Sequence, residues 1–349
     1  MNSGVLAFSV ALVASLFLTA PVRQLALRVG MVDHPGPRKV HLTPMPLLGG
    51  LAMYCGVALA VLIAMPPSAR AQTAGIFVGA TLVAFVGALD DGGLLHHQIK
   101  LFVGMPLAAV ILIASGVRTD FFETLRPGHA AVIADGALTI FWVVGITASF
   151  SIFDHMDGLC AGIAAIASFF FAVYAYRDGQ ALVMTLAAAV MGAALGFLRW
   201  NFKPAKIFMG DSGAMMLGFL MATLGVKLRP VALHHRISWI DPVLILAVPI
   251  FDTTLISVSR LRRGFLPFTT PGKDHTAHRL SNLGLGQRNA VICLYVVGAI
   301  LGVEALLIGE IPARAAYAAA ALTLISGIVC LALLERAPFE RQQKKHREV

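Results

Sequence analysis

About eleven apolar stretches follow one another along this chain with only short polar junctions between them, and few folds accommodate such a pattern. They cover residues 4–22, 48–66, 73–89, 99–117, 132–151, 159–176, 181–199, 212–228, 240–259, 289–308 and 312–334. Each approaches the roughly 20 residues that a helix needs to cross a bilayer. Only 13% of the residues are charged and 58% are hydrophobic, whereas a soluble domain carries roughly 25% charge. The expectation is an all-α fold: a polytopic integral membrane bundle of 10–11 transmembrane helices. No soluble-looking block interrupts the stretches, so residues 1–335 read as a single membrane-embedded domain and 336–349 as a charged tail. Pro249 predicts a kink in the ninth stretch, because proline removes a helical hydrogen bond.

The basic residues set the expected orientation. With the N-terminus outside, the junctions 23–47, 90–100, 152–158, 199–211 and 260–288 and the tail carry 19 of the 27 Lys and Arg residues. Cytoplasmic loops are the ones enriched in Lys and Arg, so the C-terminus and these junctions are expected in the cytoplasm of a bacterial inner membrane. The net charge of +9 is then a topology and phosphate signal. No basic, aromatic-interleaved soluble segment suggests nucleic acid. The four cysteines, at 55, 160, 293 and 330, lack metal or disulfide spacing and read as small core residues. The first stretch has no basic leader or convincing cleavage site and reads as a retained helix. No internal repeat is visible.

The acidic residues share one property. Asp33, Asp90, Asp91, Asp154, Asp157, Asp211, Asp252 and Asp274 lie at the same kind of end of an apolar stretch, on the basic side. Carboxylates beside hydrocarbon are costly unless they meet protein, water or a cation, so a metal ion and an anionic substrate are expected there. The first basic junction, Asp33-His34-Pro35-Gly36-Pro37-Arg38-Lys39-Val40-His41, is a stiff strap whose Arg38, Lys39 and His41 suit a phosphate; an ordinary basic loop would look the same. Asp90 and Asp91 precede Gly92-Gly93 and Lys100. Adjacent helical residues point about 100° apart, so one carboxylate is expected on a metal and the other on substrate or Lys100. Asp157 suits a cap of the helix that follows it, which leaves Asp154 unexplained. In Asn201 to Gly213, the glycines at 210 and 213 flank Asp211 and Ser212; the next helix is expected to aim its N–H groups at phosphate, with Asp211 on a metal. His275 and His278 stand three apart after Lys273 and Asp274. Zinc lacks a further soft ligand there, and phosphate recognition fits better.

Taken in order, RKVH…PMPLLGG, GALDDGG…K, DHMDGL, NFKPAKIFMGDSG and DHTAHRL resemble the bacterial polyprenyl-phosphate N-acetylhexosamine-1-phosphate transferases of the WecA type. These are related to the MraY-type phospho-N-acetylmuramoyl-pentapeptide transferases. The resemblance implies a Mg²⁺ enzyme, with Mn²⁺ as a substitute, whose active site faces the cytoplasm. It implies transfer of a sugar 1-phosphate, N-acetylglucosamine 1-phosphate first, from a UDP-sugar to undecaprenyl phosphate with release of UMP, at the first membrane step of a cell-envelope polysaccharide such as lipopolysaccharide. Membrane lipids and undecaprenyl phosphate are the implied partners, and a homodimer stays open. Asp211 and Asp90 are expected on the metal. Asp90, Asp91, Asp154, Asp157, His275 and His278 are expected in catalysis, and Arg38, Lys39, His41, Lys100, Asn201, Lys273 and Arg279 on substrates.

The chain departs from the family pattern at Ala148 and Ser151, where Asn is usual, at His155 for Gly, and at Ala277 for the middle His. The rival readings are a secondary transporter and a muramoyl-pentapeptide transferase. A transporter should place its ionisable groups near the bilayer midplane at broken helices, whereas these cluster at one rim.

Overall fold

The computed structural model of the protein describes residues 3–35, 43–95, 97–229, 238–267 and 272–339. Arg38, Lys39 and His41 lie outside the described residues, as does the tail beyond Phe339. The helices are α1 Ser3–Arg28, α2 Gly49–Ala64, α3 Arg70–Asp91, α4 His97–Ile99, α5 Met105–Ala114, α6 Phe121–Leu125, α7 His129–Phe153, α8 Leu159–Arg177, α9 Ala181–Asn201, α10 Gly210–Lys227, α11 Ile240–Ile245, α12 Ala247–Arg262, α13 Thr276–Leu280, α14 Gly286–Ile308 and α15 Ala313–Glu335. Wider π-turns, Lys100–Gly104 and Ser281–Leu285, join α4 to α5 and α13 to α14. Two short strands, β1 Val32–Asp33 and β2 Met45–Pro46, pair antiparallel, with Val32 opposite Pro46.

Every apolar stretch read from the sequence is helical. Among the described residues, seven helical stretches are long and apolar enough to cross a membrane, and Gly49–Ala64 and Lys100–Ala114 are shorter apolar helices. The fold is an all-α polytopic membrane bundle. The ninth stretch breaks at Leu246, not at Pro249 itself. The reason is geometric: proline at 249 has no N–H for the carbonyl four residues earlier, which belongs to Ile245.

Side-chain contacts sort the junctions into two groups. At one end, the Gln180 side chain accepts from the Arg229 N–H and donates to the Arg229 carbonyl (3.1 and 2.7 Å). Arg229 Nη2 reaches the Arg118 carbonyl at 3.0 Å, and Arg177 pairs with Glu310 at 3.1 Å. The other end gathers the junctions after α3, α7, α9 and α12, described below. The junctions therefore alternate between two ends of the bundle.

α10 is the axis of the bundle. Nearly every residue from Gly210 to Val226 is buried, between α3 and α7 on its two principal sides. A helix apolar all round is one enclosed by protein. α1 packs on α9 and α2. In α15 only Ala316 is buried, so its apolar surface faces outward. The four cysteines are free thiols.

Candidate active site

The N-terminus of α10 organises the rim. Gly210 has φ +72°, a conformation that glycine adopts without steric penalty, and a Cβ there would lie 2.4 Å from Asp91 Oδ2. The Asp91 carboxylate occupies the space so opened and accepts the N–H groups of Asp211 (2.8 Å) and Ser212 (3.1 Å). The expectation that these N–H groups meet substrate phosphate is thus corrected: Asp91 already fills the anion position. Carboxylates are stabilised at a helix N-terminus by its unpaired donors and positive dipole end.

One residue earlier on α3 the carboxylate points elsewhere, as the 100° step requires. Lys100 Nζ, at the start of the first π-turn, contacts Asp90 Oδ2 at 2.7 Å and Asp211 Oδ2 at 2.6 Å. The three side chains are 17–22% exposed, which is open enough for a ligand and dry enough to strengthen charge interactions. Ser151 Oγ, in the last turn of α7, donates to Asp211 Oδ1 at 2.5 Å. Asp154 follows α7 directly. Desolvation, then the carboxylates of Asp211, Asp91 and Asp157, push it up to about 8. Burial sets most of that shift, and the neighbouring carboxylates add to it, so the negative groups crowd together here. Aspartates from three distant junctions therefore converge on one spot.

Two loops hold this spot in place. Asp157 does not cap α8: Gly158 stands at that position, and Asp157 Oδ2 accepts the Ala205 N–H at 3.1 Å. Asn201 is buried, its Oδ1 accepting from Gly158 N–H and its Nδ2 donating to the Ile207 carbonyl, both at 3.0 Å. Both ends of the amide are spent on backbone, so the expected substrate contact is replaced by a clamp between the junctions after α7 and α9. The described end of the first strap docks beside them, where the Phe208 N–H donates to the Pro46 carbonyl at 2.9 Å.

A second cluster adjoins the first through the Asp154–His155 peptide. Asp252 of α12 is fully buried and takes His275 Nδ1 on one oxygen (2.8 Å) and the Thr276 N–H on the other (2.6 Å). The His155 ring stacks against those of His275 and His278, with centroids at 3.9 and 4.8 Å. Burial, then the His275 ring, push the His155 imidazole well below its ordinary range, which keeps it neutral. Asp274 is not part of a metal cluster: Arg260 (2.8 and 3.1 Å) and Arg263 (2.5 Å) enclose it and outweigh burial, holding its carboxyl below the usual value. Arg279 is also turned away from the rim. It is wholly buried and donates to the carbonyls of Asp274 and Leu334 and to Ser259 Oγ, which corrects its expected place on phosphate. Lys273 is half-buried on the same segment.

Comparison with known proteins fits this arrangement. The description glycosyl transferase family 4 matches residues 73–229. A probable undecaprenyl-phosphate N-acetylglucosaminyl 1-phosphate transferase of Bacillus subtilis (strain 168) is 36% identical over 313 residues, covering 87% of this chain and 84% of that protein. The chain belongs to glycosyl transferase family 4. A decaprenyl-phosphate N-acetylglucosaminephosphotransferase of Mycolicibacterium smegmatis is 34% identical over 364 residues, covering 95% of this chain and 89% of that protein. An undecaprenyl-phosphate alpha-N-acetylglucosaminyl 1-phosphate transferase of Escherichia coli (strain K12) is 27% identical over 303 residues, covering 84% and 80%.

The family 4 match spans Asp90, Asp91, Lys100, Asp154, Asp157 and Asp211 but stops short of Asp252 and His275. Three residues that the structure brings to these clusters were not singled out as site residues in the sequence: Ser151, His155 and Asp252. The first two were visible only as departures from the family pattern, and Asp252 only as one more acid expected at the common end, whereas it lies buried inside α12.

The closeness of α3 to α10 at the rim is itself testable. A Cβ on Gly87 would lie 2.6 Å from the Asp211 carbonyl and the Ser212 nitrogen, and backbone cannot yield as a side chain can. Gly87→Ala is expected to cost about 1–3 kcal/mol of stability through overpacking and to lower transferase activity by shifting Asp90 and Asp91. Gly136→Ala in α7, where nothing lies within 4 Å of the added Cβ, is the control and should be neutral or stabilising. Thermal unfolding and turnover of the two variants, compared side by side, check this.

Proposed function

We propose that this chain transfers a sugar 1-phosphate, N-acetylglucosamine 1-phosphate first among candidates, from a UDP-sugar to undecaprenyl phosphate. The observation that carries the reading is the rim cluster of Asp90, Asp211 and Lys100, placed where apolar helices end. A lipid phosphate anchored in the bilayer and a nucleotide arriving from water can meet only at such a rim. The names of the relatives support the same substrates. Because Lys and Arg crowd this end of the bundle, we place it in the cytoplasm of a bacterial inner membrane.

A lipid phosphate oxygen attacks the β-phosphorus of the donor. The bond from that phosphorus to the bridging oxygen breaks, and its electron pair leaves with UMP. One phosphoanhydride replaces another, so positioning and charge neutralisation carry most of the catalysis. Asp211 and Asp90 would hold a divalent cation, Mg²⁺ first and Mn²⁺ second. Their oxygen donors suit a hard ion, and Asp154, whose carboxyl burial and then Asp211, Asp91 and Asp157 raise, lies beside them. Such a cation supplies charge against the diphosphate. Ser151 fixes the Asp211 carboxylate, Asp91 locks the helix that carries it, and Asp157 with Asn201 fastens the loops. Lys100 is poised between the carboxylates, where an arriving phosphate can share its ammonium. Lys273 extends the positive side of the site, and His278, whose imidazole burial pushes down to about 4, stands beside it as a neutral hydrogen-bonding group.

Incubating the purified full-length chain in detergent with undecaprenyl phosphate, Mg²⁺ and a panel of UDP-sugars tests this. The expected result is one glycolipid of the mass of undecaprenyl diphosphate plus an N-acetylhexosamine, with matching UMP and without a sealed vesicle. Folded protein that forms no glycolipid from any donor, with or without Mg²⁺, rejects the reading.

A further inference from the structure

We propose that His155, Asp252 and His275 form a binding site for a transition-metal ion of the zinc class, separate from the carboxylate cluster of Asp90 and Asp211. One ligand atom from each of the three residues lies within 4.8 Å of those from the other two. They come from three elements far apart in sequence: the junction after α7, the middle of α12, and the residue before α13.

His155 provides the first argument. Both of its ring nitrogens are inaccessible to solvent, and neither has a hydrogen-bond partner. A buried polar group left unpaired costs about 1–3 kcal/mol, and the great majority of buried polar atoms have a partner. His155 has no reason to be driven into this position by packing alone, since an apolar side chain would occupy it without the cost. A metal ion satisfies one nitrogen directly.

The distances provide the second. His275 Nδ1 lies 2.8 Å from Asp252 Oδ2, and His155 Nε2 lies 3.9 Å from the same oxygen. Two ligands each about 2.0–2.2 Å from a tetrahedral zinc stand about 3.3–3.5 Å apart. One observed separation is a little short and the other a little long, each by well under an ångström; the third pair, His155 with His275, lies within 4.8 Å, so the two rings close on the ion by the largest movement. At 3.9 Å the His155–Asp252 pair is too far apart for a hydrogen bond. The Asp252 carboxylate is already oriented by the Thr276 N–H on its other oxygen, the kind of outer contact that fixes a metal ligand.

The donor set decides the class of ion. Two imidazoles and one carboxylate favour zinc and its neighbours over Mg²⁺, which prefers oxygen and keeps several waters. Three protein ligands leave a fourth position for an oxygen from solvent or substrate. The ion would cross-link the junction 154–158 to α12 and to the segment 272–280, three parts that the carboxylate cluster does not join. A simple His275–Asp252 hydrogen bond with stacked imidazoles is the alternative, and it leaves both nitrogens of His155 unpaired.

The test uses the full-length chain in detergent, stripped with chelator and re-equilibrated with Zn²⁺ in the presence of excess Mg²⁺ to occupy oxygen-donor sites. Bound zinc is read by elemental analysis, and Co²⁺ serves as a second probe through its visible absorption. About one equivalent of zinc is expected, with His155→Gly weakening affinity by about 100-fold or more. Asp211→Asn should retain the zinc, which separates this site from the carboxylate cluster. Native protein that takes up neither zinc nor cobalt overturns the proposal, as does equal uptake by folded His155→Gly protein. Metal content is measured without substrate, so a failed transferase assay does not bear on it.

Discussion

Asp211→Asn is expected to reduce glycolipid formation by at least about a thousandfold, since one electrostatic contact to a transition state is commonly worth about 10²–10³ in kcat and this residue serves two. Its Oδ2 meets Lys100 and its Oδ1 meets Ser151. Asparagine keeps the shape and can still accept from Ser151, but it removes the charge that pairs with Lys100 and would hold a divalent cation. The variant should therefore stay folded, with Asp91 still accepting the Asp211 and Ser212 N–H groups, which belong to the backbone. Two measurements separate the readings: thermal unfolding of the variant, and the dependence of residual UMP release on Mg²⁺ concentration. A folded variant with near-native turnover would remove Asp211 from the chemistry. Normal turnover only at raised Mg²⁺ would keep it as a ligand whose loss weakens the site.

The residues that could be read from the sequence and those that could not differ in a physical way. The helices were legible because the bilayer imposes one length and one polarity on every crossing, and each apolar stretch is helical. Errors at the ends were small: α1 continues through Pro21 to Arg28, and α7 begins at His129 instead of 132. The convergence of Asp90, Asp154 and Asp211 was legible because their common position at one kind of end leaves them one rim to share. What each polar group does there was not. Asp90 and Asp91 are chemically identical neighbours, yet one meets Lys100 and the other caps a helix 120 residues away in sequence. Their division follows from how α3 lies against α10, which depends on contacts such as Gly87 on Asp211. Asn201 and Arg279 misled for the opposite reason. A polar residue amid apolar sequence can face a ligand or can satisfy buried backbone, and composition does not distinguish the two. His155 looked like a loss, a histidine where glycine is usual; only its stacking on His275 and His278 gives it a place.

Arg279→Ala should act on stability before it acts on substrate. The guanidinium is wholly buried and joins three parts of the fold. Its Nε and Nη1 donate to the Asp274 carbonyl (2.8 Å) and the Leu334 carbonyl (2.7 Å), and its Nη2 to Ser259 Oγ (2.8 Å), with Glu335 at 3.4 Å and the Phe339 ring centroid at 4.2 Å. Leu334 lies in the last turn of α15, where carbonyls lack helical partners and a basic side chain is favourable. Alanine leaves the Asp274 carbonyl and Ser259 Oγ in the interior without this donor and Glu335 without its cation, while the Leu334 carbonyl keeps only the Ala337 N–H. Breaking a buried pair on one side costs about 3–5 kcal/mol; Glu335 is partly open, so the lower end is expected. That should appear as an apparent unfolding temperature lower by about 5 °C or more, given that 1 kcal/mol shifts a large domain by a few degrees. Arg279→Lys should restore only part of it, because an ammonium cannot reproduce the planar fork that reaches three acceptors at once. A residue that clamps substrate phosphate behaves differently: its loss would raise KM or lower kcat at unchanged thermal stability. Unfolding curves and kinetics on the same preparations of the two variants decide between these outcomes, and unaltered stability in Arg279→Ala would return this residue to the substrate side of the site.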